Sequence, residues 1–127
     1  MQYWGVGVPV APAPVTVATY TLPPDMQFAV QAGFPNPGPD GPSFGTGTTP
    51  IYFNACNAIE GGNPCLIFYP DGSEQDDSGN YNNGVVYITQ PATNKYSSRA
   101  ITVWGTTGRV RGWRLYNVSG TDTWVQQ

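Results

Sequence analysis

The sequence predicts one small all-β domain with long ordered loops, and three observations predict it. A chain of 127 residues suits a single hydrophobic core. Aromatics reach 13%, and 12 Val, 5 Ile and 13 Thr stand against three Leu, a set that fits a pleated surface better than a helix. The 16 Gly and 13 Pro fall largely in clusters between apolar runs, where turns belong. A disordered chain of similar Gly and Pro content would lack the apolar side chains needed to offset backbone ordering.

Residues 1–14 are apolar but broken by Pro9, Pro12 and Pro14, so they read as an extended lead-in and not as a helical signal or membrane span. Val15–Thr21 alternates and reads as a strand stopped by Pro23 and Pro24. Met26–Ala32 alternates again, which places Met26, Phe28, Val30 and Ala32 on one face. Between residues 33 and 50 the density of Gly and Pro leaves no room for a regular element, so a long loop is expected. Ile51–Phe53 and Cys65–Tyr69 are short apolar strands separated by the turn signal Glu60-Gly61-Gly62-Asn63-Pro64. Pro70–Ser73 forms a further turn and opens an acidic, Asn-rich excursion through Asn83. Strands follow at Val85–Thr89, Ala100–Trp104, Arg109–Tyr116 and Thr123–Val125. The second and third of these are joined by Gly105–Gly108 in the strongest hairpin signal of the chain. The whole chain, residues 1–127, is expected to be a single domain.

The same composition narrows the chemistry. No His is present, which excludes triads with a His base and zinc sites with His ligands. Charged residues are only 10%, a polar but uncharged surface commoner in exported and assembled proteins than in cytosolic enzymes. The net charge of −3 hides a polarity: Lys95, Arg99, Arg109, Arg111 and Arg114 are all the basic residues, and only Asp122 among the acids follows residue 94. A polyanion partner is therefore not excluded by net charge, because binding follows the local field.

Four groups of residues stand out. Cys56 and Cys65 bracket the Gly61-Gly62 turn between two expected strands, close enough for a disulfide staple; two free thiols or a redox pair are the alternatives. Asp71, Glu74, Asp76 and Asp77 put four carboxylates in one loop, either a solvated acidic loop or oxygen ligands for calcium, without the EF-hand spacing. Arg109, Arg111 and Trp113 share one strand face, with the two Arg about 6.6–6.8 Å apart, while Val110, Arg114 and Tyr116 have the opposite parity. With Arg99 and Lys95 nearby, guanidinium groups beside an indole suit a phosphate backbone and its bases. The alternatives are neutralisation of acids elsewhere or protection of an edge strand. Trp4, Trp104, Trp113, Trp124, Tyr81, Tyr87, Tyr96 and Tyr116 exceed the needs of a small core and would suit carbohydrate stacking or a subunit interface. Asn117-Val118-Ser119 matches a glycosylation acceptor, a three-residue pattern of little specificity.

Residues 51–125 resemble the globular domain of minor pilins and pseudopilins of the GspH/FimT type. Phe68-Tyr69-Pro70-Asp71-Gly72-Ser73 resembles the family's apolar strand ending in a P-x-G-S turn, and Gly84-Val85-Val86-Tyr87-Ile88 resembles the strand after the loop. Arg99-Ala100-Ile101-Thr102-Val103, followed by Thr107-Gly108-Arg109-Val110-Arg111, Trp113-Arg114 and Trp124, is similar to its closing hairpin. Tyr20–Pro24 with Phe28 resembles its strand entry more loosely.

The resemblance implies a two-sheet antiparallel β-sandwich packed, in the full-length protein, on a long apolar N-terminal helix. No such helix opens this sequence, which reads as the globular portion after it, with an added Met. It further implies a non-enzymatic structural subunit, without cofactor, of a type IV pilus or a type II secretion pseudopilus. The expected partners are other pilin or pseudopilin subunits, with the membrane reached only through the helix. The place would be the bacterial envelope, anchored in the inner membrane and facing the periplasm, or an extracellular pilus. In FimT-like members the Gly-Arg-x-Arg hairpin is associated with DNA, which here falls on Gly108, Arg109 and Arg111. The alternative reading is a carbohydrate-binding β-sandwich with a calcium-stabilised acidic loop.

Overall fold

The computed structural model describes residues 18–57, 61–91 and 93–127. The lead-in at 1–14 with Trp4, the first part of the strand expected at 15–21, and Glu60 lie outside the described residues. Residues 18–21 form no strand. The first strands are short: β1 (Gln27–Phe28), β2 (Ile51–Tyr52), β3 (Ala55–Cys56), β4 (Asn63–Pro64), β5 (Ile67–Phe68) and β6 (Glu74–Gln75). The long ones follow: β7 (Gly84–Thr89), β8 (Arg99–Trp104), β9 (Arg109–Val118) and β10 (Thr121–Gln126).

The long strands form a continuous antiparallel meander: tight turns at 105–108 and 119–120 join β8 to β9 and β9 to β10, while β7 reaches β8 through residues 90–98, which include the 3-10 turn Lys95–Ser97. The six-stranded sheet runs β1-β7-β8-β9-β10, with β2 also pairing β7, and the two other sheets are the ladders β3-β4 and β5-β6. The all-β antiparallel expectation holds. The second layer of a closed sandwich is not a sheet among the described residues: the two small ladders do not join into one.

What covers the sheet is the Gly/Pro-rich loop. Alternation along the strands puts Val85, Tyr87, Ala100, Leu115 and Trp124 on one face, where all are buried, with Val30, Phe34, Tyr96 and Trp113 packed against them. Phe34 touches Tyr87 and Trp124, with ring centroids 5.4 and 5.2 Å apart, and Phe44 meets Trp104 edge-on at 5.9 Å. Gly38 lies so close over Tyr87 that a Cβ there would sit 2.2 Å from the phenol oxygen, which is why the loop needs glycine at its contact with the core. A single 3-10 turn, Pro42–Phe44, interrupts the loop.

This crossing explains one departure from the alternation pattern. The strand expected over Met26–Ala32 stops at Phe28, because the chain leaves the edge of β7 there and turns over the sheet. Phe28 pairs with Ile88 and is exposed, whereas Val30 packs on the opposite, covered face. The other loop, between β3 and β4, is closed by the Cys56–Cys65 disulfide, with Cα atoms 5.7 Å apart. Asn63-Pro64, read as turn residues, instead pair with Ala55-Cys56.

Candidate functional site

The β8–β9 hairpin is held at its tip by the segment after the disulfide. Gly108 N–H donates to Trp104 C=O at 2.8 Å, and Gly108 has φ +68, a conformation that favours glycine. A Cβ on Gly108 would lie 2.3 Å from the Gly72 carbonyl, so the Tyr69–Ser73 turn and the hairpin tip are in direct contact. Glu74 N–H donates to Gly105 C=O at 2.6 Å, and Gly105 N–H donates to the Asn83 side chain at 2.6 Å.

The basic residues expected to form one patch divide between the two faces of the sheet. Arg109, Arg111 and Trp113 share the covered face, as their parity requires, while Arg99 and Arg114 are direct cross-strand partners on the other. Arg111 Nη1 donates to Asp40 Oδ1 at 2.7 Å, and Thr102 Oγ1 donates to Asp40 Oδ2 at 2.6 Å. Thr102 in turn accepts from the Trp113 indole N–H at 2.9 Å. The guanidinium is thus already held by a carboxylate with 11% side-chain exposure, and the indole expected to stack on a base is packed against the core.

Lys95 pairs with Asp122, which also accepts from Tyr96 Oη at 2.7 Å. The hydrogen bond between the pair holds the lysine above its ordinary pKa and, with the Tyr96 bond, the carboxyl below its own. Arg99 donates to the Ser97 and Ser98 carbonyls, and Arg114 stacks over Tyr116 at 5.1 Å. Arg109, at the hairpin tip, is exposed. Asp40 is the residue that sequence reasoning missed. Its one signal was being the sole acid in a loop otherwise built of Gly, Pro and uncharged residues.

The four acidic-loop carboxylates do separate jobs. Asp71 Oδ1 accepts from the Ser73 hydroxyl and N–H at 2.7 and 2.9 Å, which lowers its pKa. Burial pushes Asp76 upward, but N–H groups of Asn80 and Ser78 and the amides of Asn54 and Asn80 outweigh it and hold the carboxyl low. Asp77 has an interaction of its own. Glu74 is fully buried, with neither carboxyl oxygen hydrogen-bonded, and desolvation, aided by the Asp76 charge, pushes it up to about 8. The Asn82 amide beside it pulls the other way but donates to Cys65 C=O at 2.7 Å. Among the described residues, no three His, Cys, Asp or Glu side chains gather to hold a metal ion. Asp71 and Asp76, two of the carboxylates that could also serve as oxygen ligands for calcium, accept hydrogen bonds that shape their own loop.

The broadest feature is the face opposite the loop. Phe28, Ile101, Val110, Tyr116, Val118 and Val125 share it by strand parity, and each is between 37% and 56% exposed. Val86 and Ile88 lie half-buried among them. Phe53 closes one end, its ring edge 2.5 Å from where a Cβ of Gly84 would stand. The cross-strand pair Arg99 and Arg114 lies between Ile101 and Tyr116 on this face, and Val103 beside Val110 is buried, so the exposed apolar side chains flank a basic pair. Exposed apolar side chains gathered on one face favour an interaction site. No protein-family model, curated protein or solved structure matches the chain.

Proposed function

We propose that this chain is the globular domain of a minor pilin or pseudopilin of the GspH/FimT type. In this reading it is a non-enzymatic structural subunit of a type IV pilus or type II secretion pseudopilus in the bacterial envelope. The observation that carries the reading is the one-sided sheet: the chain's own loop buries the middle of one face, whereas the other leaves Ile101, Val110, Tyr116, Val118 and Val125 exposed, with Val103 alone buried among its β8 and β9 apolar residues. A long apolar helix encoded upstream would cover that face, anchor the subunit in the inner membrane and pack against neighbouring subunits. The meeting of the Tyr69–Ser73 turn with the Gly108 tip supports the reading too, since the segments that carry the resemblance lie far apart in sequence and touch in the fold.

Contact with DNA, in this reading, belongs to Arg109 and not to Arg111. Asp40 already neutralises Arg111, and a phosphate would have to displace a part-buried carboxylate. Arg109→Ala therefore weakens DNA binding and lowers the slope of log affinity against log salt by about one unit, while Arg111→Ala acts mainly on stability. Equal losses of binding in stable forms of both variants would reverse that assignment.

The main reading is tested with the subunit as encoded in its genome. Val110→Cys and Val125→Cys, labelled with a maleimide, should react readily in the 127-residue chain and be protected in the membrane-anchored subunit. A gene without an upstream apolar helix, or equal reactivity in both forms, would refute it.

A further inference from the structure

The two edges of the main sheet are built differently. Along the outer side of β7 run two strands of two residues each, β1 and β2, and edges so short offer little to pair with. At the other side stands β10, six residues long, with no strand beyond it among the described residues. Its sequence, Thr121-Asp122-Thr123-Trp124-Val125-Gln126, contains no Pro, Gly, Lys or Arg, the residues that usually blunt an edge. Its single charge, Asp122, is turned to the covered face and held by Lys95 and Tyr96.

The hydrogen-bond parity of this edge can be read directly. Gln127 N–H donates to Gly112 C=O, its cross-strand partner in the continued register, so odd-numbered residues of β10 bond inward to β9. Leu115 N–H donates to Ser98 C=O, which turns odd residues of β9 toward β8 and even ones toward β10, in agreement. Asp122, Trp124 and Gln126 therefore point their N–H and C=O groups out of the sheet.

We propose that this edge pairs with β10 of a second copy, antiparallel, about a two-fold axis at Trp124. Independently of the pilin reading, three features favour a copy of the same chain. An axis perpendicular to the sheet keeps each face on its own side, which requires pairs of like parity. Centring on Trp124 sets outward groups of Asp122 against those of Gln126, so every outward N–H meets an outward C=O. The same register opposes Asp122 to an amide and not to a second carboxylate, and Thr123 to Val125, extending the open apolar face across the junction.

Gln126→Pro is the discriminating variant. It removes an outward N–H and leaves the inward ladder to β9 intact, whereas proline at Val125 would break that ladder. Sedimentation of the unmodified chain up to millimolar concentration should show a monomer–dimer equilibrium, weakened about tenfold or more by Gln126→Pro. Amide spectra of β8 and β9 verify that the variant is folded. An equimolar mixture of Thr123→Cys and Val125→Cys chains should cross-link on oxidation faster than either alone, because those side chains face each other in this register. A chain that stays monomeric, or a dimer that Gln126→Pro in folded form leaves unchanged, would overturn the proposal.

Discussion

The two faces of the six-stranded sheet are made from similar residues and end differently. Both alternate β-branched and aromatic side chains with an Arg pair, Arg109 and Arg111 on one side, Arg99 and Arg114 on the other. On the covered face a loop without regular structure supplies Phe34 and Phe44 as apolar cover and Asp40 as counter-charge. On the open face cover reaches only the end where Phe53 lies over Gly84 and Val103 is buried, and its Arg pair is settled locally, Arg99 on backbone carbonyls and Arg114 on Tyr116. Burial here is decided by where a loop crosses, not by the hydrophobicity of the strands themselves.

Four substitutions or conditions sharpen that contrast. The largest effect belongs to the covered face: Leu115, fully buried, costs about 2–5 kcal/mol when cut to Ala, read by denaturant unfolding. Next is the pH dependence set by Glu74. Its folded-state pKa of about 8 exceeds the ordinary value of 4.5, so the folded chain holds a proton that the unfolded chain releases. Stability from this site is complete below about pH 4.5, falls as pH rises, and is gone above about 8. The slope approaches about 1.4 kcal/mol per pH unit, and Glu74→Gln should flatten it. Asp40→Asn is expected to cost about 1–3 kcal/mol, since it removes one charge of a part-buried pair that also accepts from Thr102. The smallest effect belongs to the open face: Val110→Thr should change stability by no more than about 0.5 kcal/mol, and a loss near that of Leu115→Ala would break the comparison.

The meander β7–β10 was legible in the sequence because its signals are local: alternation, a four-residue turn and cross-strand parity. The Cys56–Cys65 bond was legible for the same reason, bracketing a single turn. The role of residues 33–50 was not. Gly and Pro announce the absence of regular structure, and they say nothing of where Phe34, Asp40 and Phe44 land. Arg111 and Asp40 lie 71 residues apart in the chain, a contact no local pattern encodes. The five basic residues formed a cluster along the sequence and were expected to form one in space. Strand parity already separated Arg114 from Arg109 and Arg111, but only the cross-strand register joins Arg114 to Arg99. The one-sidedness of the sheet was hidden because both parities of β9 carry apolar residues, Trp113 and Leu115 on one face, Val110, Tyr116 and Val118 on the other.

The contrast between the loop-covered face and the face that exposes Ile101, Val110, Val118 and Val125 is most directly measured by methyl NMR with a soluble paramagnetic probe. Strong relaxation of the Ile101, Val110, Val118 and Val125 methyls and protection of Val85 and Leu115 are expected. Equal protection of both sets in the monomeric chain would contradict that contrast.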